Sequence, residues 1–280
     1  MTRLDETTIQ RAAEAIAEAD ALLIGAGAGM GVDSGLPDFR GDEGFWENYP
    51  PFEERGLNFY DLANPRWFRD DPELAWGFYG HRLNLYRRTE PHGGFALLGD
   101  WASRFDLTTF VYTSNVDGQF QKAGFADEQV LECHGSINHL QCAEPCQHKI
   151  WSARDREVEV DEETFRAEPP LPKCMRCERV ARPNVLMFGD MGWVGDRTAR
   201  QKRRFREWLN ERGGSERIVV IESGAGTAVP TVRRQCEQVA AQSGGRLIRI
   251  NPREAQTPAG ALSVSAGALE ALGAIDRVIT

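Results

Sequence analysis

The chain has 280 residues, of which 41% are hydrophobic and 27% charged, with a formal net charge of −9. This balance excludes a disordered or fibrous chain and leaves room for one large α/β unit with insertions or for two small domains. No apolar run reaches the ~18–20 residues of a bilayer span, and the acidic excess argues against a broad nucleic-acid surface. Met1–Asp20 lacks the basic-then-apolar form of a signal peptide, so a cytoplasmic location is expected, with no membrane or nucleic-acid partner.

In chain order, Thr7–Ala19 places Ile9, Ala12, Ala13, Ile16 and Ala17 on one face, the period of an amphipathic helix. Ala21–Ile24 is a short apolar strand that runs into the glycine cluster Gly25–Gly31. Asp42–Arg88, rich in Trp, Phe, Tyr and Pro, reads as a helical, loop-rich insertion. Two further apolar runs follow, Leu107–Tyr112 and Gln129–Cys133. Asn138–Arg182 holds four of the six cysteines and several prolines and reads as a second insertion. Beyond it come a basic helix over Asp196–Arg212, a strand at Ile218–Ile221, a helix at Thr231–Gln242 and a strand at Leu247–Ile250. The basic helix reads as a solvated face, given the acidic whole. Continuous apolar strands suit burial on both faces, so the expected fold is α/β: a doubly wound, parallel, Rossmann-like sheet with a smaller domain built from the two insertions. The boundaries are 1–41, 89–137 and 183–280 for the large domain, and 42–88 and 138–182 for the small one.

Two constellations carry chemistry. Glycines between a strand and a helix let backbone N–H groups approach a phosphate. The usual dinucleotide fingerprint nevertheless fails here, because its sixth position falls on Met30 or Val32. The cysteines are the second. Cys174 and Cys177 have the two-residue spacing of a zinc site, and Cys142 and Cys146 are separated by three residues. Four thiolates close a tetrahedral structural zinc site, with His148 as an alternative ligand. Cys236 reads as a core residue.

Read onward from Gly27-Ala28-Gly29, the segment Ser34–Arg40 places Asp38, Phe39 and Arg40 directly after the glycines. Thr113–Gly118 contains Ser114, Asn115, Val116 and Asp117. Cys133-His134-Gly135-Ser136 follows a strand. Arg182–Asp190 contains Val185, Met187, Phe188, Gly189 and Asp190. Gly224-Ala225-Gly226 and Ile250-Asn251-Pro252 come after later strands. These segments, in this order, resemble the sirtuins from about Ala21 to near the C-terminus.

The resemblance implies an NAD-dependent deacylase acting on an acylated lysine of a protein. Gly27, Ala28, Gly29, Asp38, Phe39, Arg40, Ser114, Val116, Gly224, Ala225, Gly226 and Asn251 would bind NAD. Asn115 and Asp117 would hold the nicotinamide ribose and carboxamide. Val185, Met187, Phe188, Gly189 and Asp190 would bind substrate, with Phe39 adding to the apolar tunnel. In the implied reaction the acyl carbonyl oxygen attacks the ribose carbon bearing nicotinamide. His134, a histidine whose ordinary pKa of ~6.5 suits proton transfer, then deprotonates a ribose hydroxyl. Gly31 replaces a serine common in the family, and Asp190 replaces a glutamate. Phe45–Asn48 lacks the tyrosine and arginine of the family's desuccinylases and carries Glu47, so acetyl or another neutral acyl group is expected. The alternatives are a related ADP-ribosyltransferase or NAD hydrolase, and a silent NAD-sensing scaffold.

Overall fold

Ala-Leu-Leu-Ile-Gly-Ala at Ala21–Ala26 has no polar side chain, so water can be excluded from both of its faces, and it becomes an inner strand of the main sheet. The structure is a computed structural model that describes residues 4–38, 41–147, 149–212 and 217–280, the side chains of 41–44 excepted. Its strands in chain order are β1 (Ala21–Ala26), β2 (Thr108–Thr113), β3 (Val130–Glu132), β4 (Gly135–Cys142), β5 (Trp151–Ser152) and β6 (Val160–Asp161). They continue as β7 (Arg166–Ala167), β8 (Ala181–Val185), β9 (Ile218–Ser223), β10 (Arg246–Ile250) and β11 (Leu262–Val264).

The main sheet runs β3-β2-β1-β9-β10-β11 with every pair parallel. Counted along the chain, that is the 3-2-1-4-5-6 order of a doubly wound dinucleotide fold. The order reverses between β1 and β9, and ligands in such sheets sit outside the carboxyl ends of the strands at that point. The Glu6–Ala17, Gly93–Arg104 and Ala268–Asp276 helices cover one face and the Asp196–Glu211 and Thr231–Ser243 helices the other. Burial carries the first of these helices. Ile9, Ala12, Ala13 and Ile16 are buried, each Ile contributing roughly 1.5–3 kcal/mol, and Asp5 caps its start by accepting from Thr8 N.

The second insertion, with β4 and β8, forms an antiparallel sheet in the order β5-β4-β8, and β6 pairs with β7. These elements and the helices of the first insertion share a separate aromatic core that includes Phe45, Phe52, Phe78, Tyr79 and Phe165. Two local expectations shift. The glycine cluster opens a 3-10 turn, Ala28–Ser34, in place of a regular helix. Leu262–Val264, which pairs with β10, is too short and too polar at Ser263 to stand out as an apolar run.

Candidate active site

The two glycine loops meet at the reversal point. Gly224 leaves β9 in the left-handed region, φ 65°, and a Cβ there would lie 2.2 Å from Met30 N. A Cβ on Gly27 would lie 2.6 Å from Ala225 Cα. Only paired backbones fit, and hydrogen bonds lock them: Gly27 N donates to Ser223 O (3.0 Å) and Gly29 N to Gly224 O (3.0 Å). The expectation that Gly27, Ala28 and Gly29 all offer amides to a pyrophosphate is corrected by these bonds. Two of the three amides hold the loops together. Ala28, at the first position of the 3-10 turn where the N–H has no intrahelical acceptor, borders the cavity. Asn251, expected to bind NAD, does not border the cavity over these loops. Fully buried, it donates from Nδ2 to Ala225 O (3.0 Å) and accepts from Arg253 N and Glu254 N, so it shapes the second loop from behind.

A cavity of about 380 Å³ opens over these loops. Gly27, Ala28, Asp38, Ser114, Asn115, Val116, Asp117, His134, Gly224, Ala225 and Gly226 all border it, which gathers most of the residues singled out in the sequence. Gly29 lies outside its lining, and Phe39, Arg40 and His148 lie outside the described residues. Asp38 reaches across the cavity edge to Arg253 Nη2 at 2.6 Å. Asn115 donates from Nδ2 to Gly27 O (3.0 Å) and its own N–H donates to Thr113 Oγ1 (3.0 Å), tying the end of β2 to the first glycine loop.

His134 occupies the turn between β3 and β4. Cys133 N donates to Thr113 O (2.8 Å), Leu186 N donates to His134 O (2.9 Å), and Gly135 makes the reversal at φ 80°. Burial, aided by the charge of Lys202, lowers the pKa of the half-buried His134 imidazole. Asp117 moves the other way, to about 6, mainly through burial. The Glu132 charge raises it further, while Gln119 N–H and Arg82 oppose the rise. The remaining described histidines line no part of the cavity. His92, for example, caps the Gly93–Arg104 helix by accepting from Gly94 N (3.0 Å).

The opposite wall is apolar where expected, with Val185, Met187 and Phe188. Gly189 and Asp190 do not border this cavity; they line a separate hollow beside the second insertion. The Asp190 carboxylate turns inward, pairs with fully buried Arg182 (2.8 Å) and accepts from Gly192 N (3.1 Å), so it holds the segment in shape. Phe45–Asn48 also lies outside the lining of this cavity. The residues missed are Tyr79, Arg82 and Tyr86 of the Pro72–Arg88 helix, which line the wall. Arg82 is buried, donates to Tyr86 Oη (2.8 Å) and sits 5.1 Å from the Phe78 ring centroid. An arginine at helical spacing from three aromatic residues, Phe78, Tyr79 and Tyr86, was the available signal.

The four clustered cysteines come together. Their Sγ atoms all lie within 4.8 Å of one another, with Cys142–Cys177 at 3.6 Å and Cys146–Cys174 at 3.7 Å. These separations are far beyond a disulfide of ~2.05 Å and match the ~3.8 Å edge that ~2.3 Å zinc–sulfur bonds give a tetrahedron. The donor set fits structural zinc, closed to chemistry. Cys236 is fully buried in the core, and burial raises its thiol pKa well above the ordinary value.

Comparison with known proteins agrees with this geometry. Residues 27–208 match the model of the Sir2 family. The chain is 32% identical to NAD-dependent protein deacylase 1 of Archaeoglobus fulgidus over 244 residues, 85% of this chain and 84% of the relative. It is 29% identical to the NAD-dependent protein deacylase of Aquifex aeolicus, over 81% and 82% of the two chains. Among solved structures, a Sir2 homologue in complex with NAD superposes with a TM-score of 0.69 at 27% identity, covering 99% of this chain and 94% of that one. A mutant Sir2 homologue bound to ADP-ribose gives 0.70 at 28%, covering 96% and 95%.

Proposed function

The chain belongs to the Sir2 family, and on that premise we propose that it removes acyl groups from protein lysines with NAD, releasing nicotinamide and O-acyl-ADP-ribose. The observation that carries the proposal is a single cavity bounded by two interlocked glycine loops, His134 and an apolar wall. When bound, NAD supplies the ribose carbon that nicotinamide leaves and the hydroxyls that receive the acyl group. Ala28 N–H is the amide available to its pyrophosphate, and Asn115 and Asp117 border the space for the nicotinamide half. Lowered proton affinity keeps His134 neutral near pH 7, the form that can take a proton from a ribose hydroxyl. Val185 and Met187 exclude water from the acyl group and orient it toward the same cavity. The tetrathiolate set needs reduced cysteines, which supports a cytoplasmic location.

The test follows nicotinamide and peptide by mass spectrometry. Nicotinamide released only with an acyl-lysine peptide, together with O-acyl-ADP-ribose, is the expected result. ADP-ribose attached to protein would replace the deacylase with the transferase, and tight NAD binding without turnover would leave a scaffold.

A second reading concerns the acyl group. Arg82 favours an acyl chain that ends in a carboxylate over the neutral one expected from the sequence. It is a buried guanidinium on the cavity wall beside Tyr79 and Tyr86, and a guanidinium is the side chain best shaped to hold a carboxylate. Rates on acetyl-, propionyl-, malonyl- and succinyl-lysine peptides decide between them. On the carboxylate reading, Arg82→Met lowers kcat/KM for succinyl-lysine by on the order of a hundredfold, the loss of a charge-assisted pair, and spares acetyl-lysine. A wild-type preference for acetyl- and propionyl-lysine returns the assignment to neutral acyl groups.

A further inference from the structure

Behind the catalytic turn lies a charged residue that touches neither cavity nor solvent. Glu132 ends β3, two residues before His134, and its side chain is 2% exposed. The Asp196–Glu211 helix grips its backbone N–H, its backbone C=O and one carboxylate oxygen, Oε2, while Oε1 is buried with no hydrogen-bond partner among the described residues. Arg197 Nη2 lies 2.5 Å from Glu132 Oε2, and Gln201 Nε2 lies 3.3 Å from the same oxygen. Gln201 Oε1 accepts from Glu132 N (3.3 Å), and Thr198 Oγ1 donates to Glu132 O (3.2 Å). This helix starts six residues beyond Asp190, so it continues directly from the apolar wall segment. The link between them is fastened as well: Gln141 Oε1 accepts from Val194 N (3.0 Å), and Asn184 Nδ2 donates to Val194 O (2.9 Å). The circuit closes at Leu186 N, which donates to His134 O.

We propose that Glu132 is a positioning residue: through Arg197, Thr198 and Gln201 it holds the His134 turn in register with the Val185–Asp190 wall. The proposal rests on the deacylase reading above. Fold stability alone does not account for such a pair, because a buried ion pair is commonly matched or bettered by apolar residues of similar volume. Register does account for it, since misplacing a proton acceptor by ~1 Å can cost on the order of a hundredfold in rate. Glu132 also acts through space. The groups acting on the Asp117 carboxyl are Glu132 from β3, which favours its protonated form, Arg82 from the Pro72–Arg88 helix, which favours the ionised form, and the Gln119 N–H. Tyr86, on the same helix as Arg82, is coupled to Asp117 in turn.

The test uses the neutral pair Glu132→Gln/Arg197→Met, which leaves no buried charge uncompensated, and the milder Gln201→Met, which keeps the ion pair. The neutral pair is expected to lower kcat about tenfold or more with KM for NAD within about twofold. It should also move the Asp117 titration to lower pH, read by carboxyl 13C NMR with Asp117→Asn assigning the signal. Gln201→Met should lower kcat about threefold. Wild-type kcat in both variants with an unmoved Asp117 titration overturns the proposal. Should the neutral pair fail to fold, the kcat of Gln201→Met decides alone. Should the wild-type protein deacylate nothing, the function falls on its own, and the NMR titration still decides whether Glu132 governs Asp117.

Discussion

His134 and Asp117 border one cavity, and burial drives their proton affinities toward each other: the imidazole falls from 6.5 while the carboxyl rises from 3.8 to about 6. In the proposed mechanism a neutral His134 accepts a proton and an ionised Asp117 accepts hydrogen bonds. Both are deprotonated states, so activity is present above these pKa values and is lost as pH falls through them. The acid limb of kcat/KM is therefore expected near pH 6, and Asp117→Asn should remove the contribution that Asp117 makes to it. An acid limb near pH 4 would show that Asp117 keeps the proton affinity of an ordinary carboxylate. His134→Ala should lower kcat by about 10²–10⁴-fold, the usual worth of a positioned general base, with NAD affinity nearly unchanged by calorimetry. At this scale His134, Asn115 and Asp117 were legible because reactive side chains at strand ends have few structural uses. Arg82 was not, since a helix carrying Phe78, Tyr79 and Tyr86 reads as core. Asn251 and Asp190 were read as ligand contacts, whereas both turn away from the cavity to Ala225 O and Arg182, pairings that only packing reveals.

At the scale of elements, the two glycine loops act as one part. Gly224→Ala puts a Cβ against the backbone of Gly29 and Met30 and forces a left-handed φ on a residue that resists it. The loops must separate, and NAD affinity should fall by about tenfold or more by calorimetry; unchanged affinity would show that the interlock has no part in binding. The four cysteines join β4 to the segment before β8, whose pairing places Gly135 opposite Val185. Removing zinc with a chelator, or Cys174→Ser, is expected to lower the melting temperature and reduce activity indirectly. Metal analysis of active protein should give one zinc per chain, and active zinc-free protein would contradict the structural role. The main strands were legible because each is a continuous apolar run. The helix expected after the glycine cluster is a 3-10 turn, which the glycines left without an apolar period to reveal, and β11 is too short to show one.

For the whole molecule, the cavity lies where two separately packed cores meet. The parallel sheet supplies the glycine loops, Asn115 and Asp117, and the aromatic core of the insertions supplies Tyr79, Arg82 and Val185. His134 stands at the crossing, between the last residues of β3 and the first of β4. Order along the chain made this arrangement legible, because motif after motif follows a strand and strands of a doubly wound sheet end on one side. Which insertion residues complete the cavity wall was not legible, since that depends on how the second core packs against the first. The central claim is that NAD cleavage and deacylation are one coupled reaction, and the most direct measurement is their stoichiometry in single-enzyme incubations with NAD and acyl-lysine peptides. The account predicts one nicotinamide released per acyl group removed, and none without a peptide. Nicotinamide released at the same rate with and without peptide would contradict it and make this chain an NAD hydrolase.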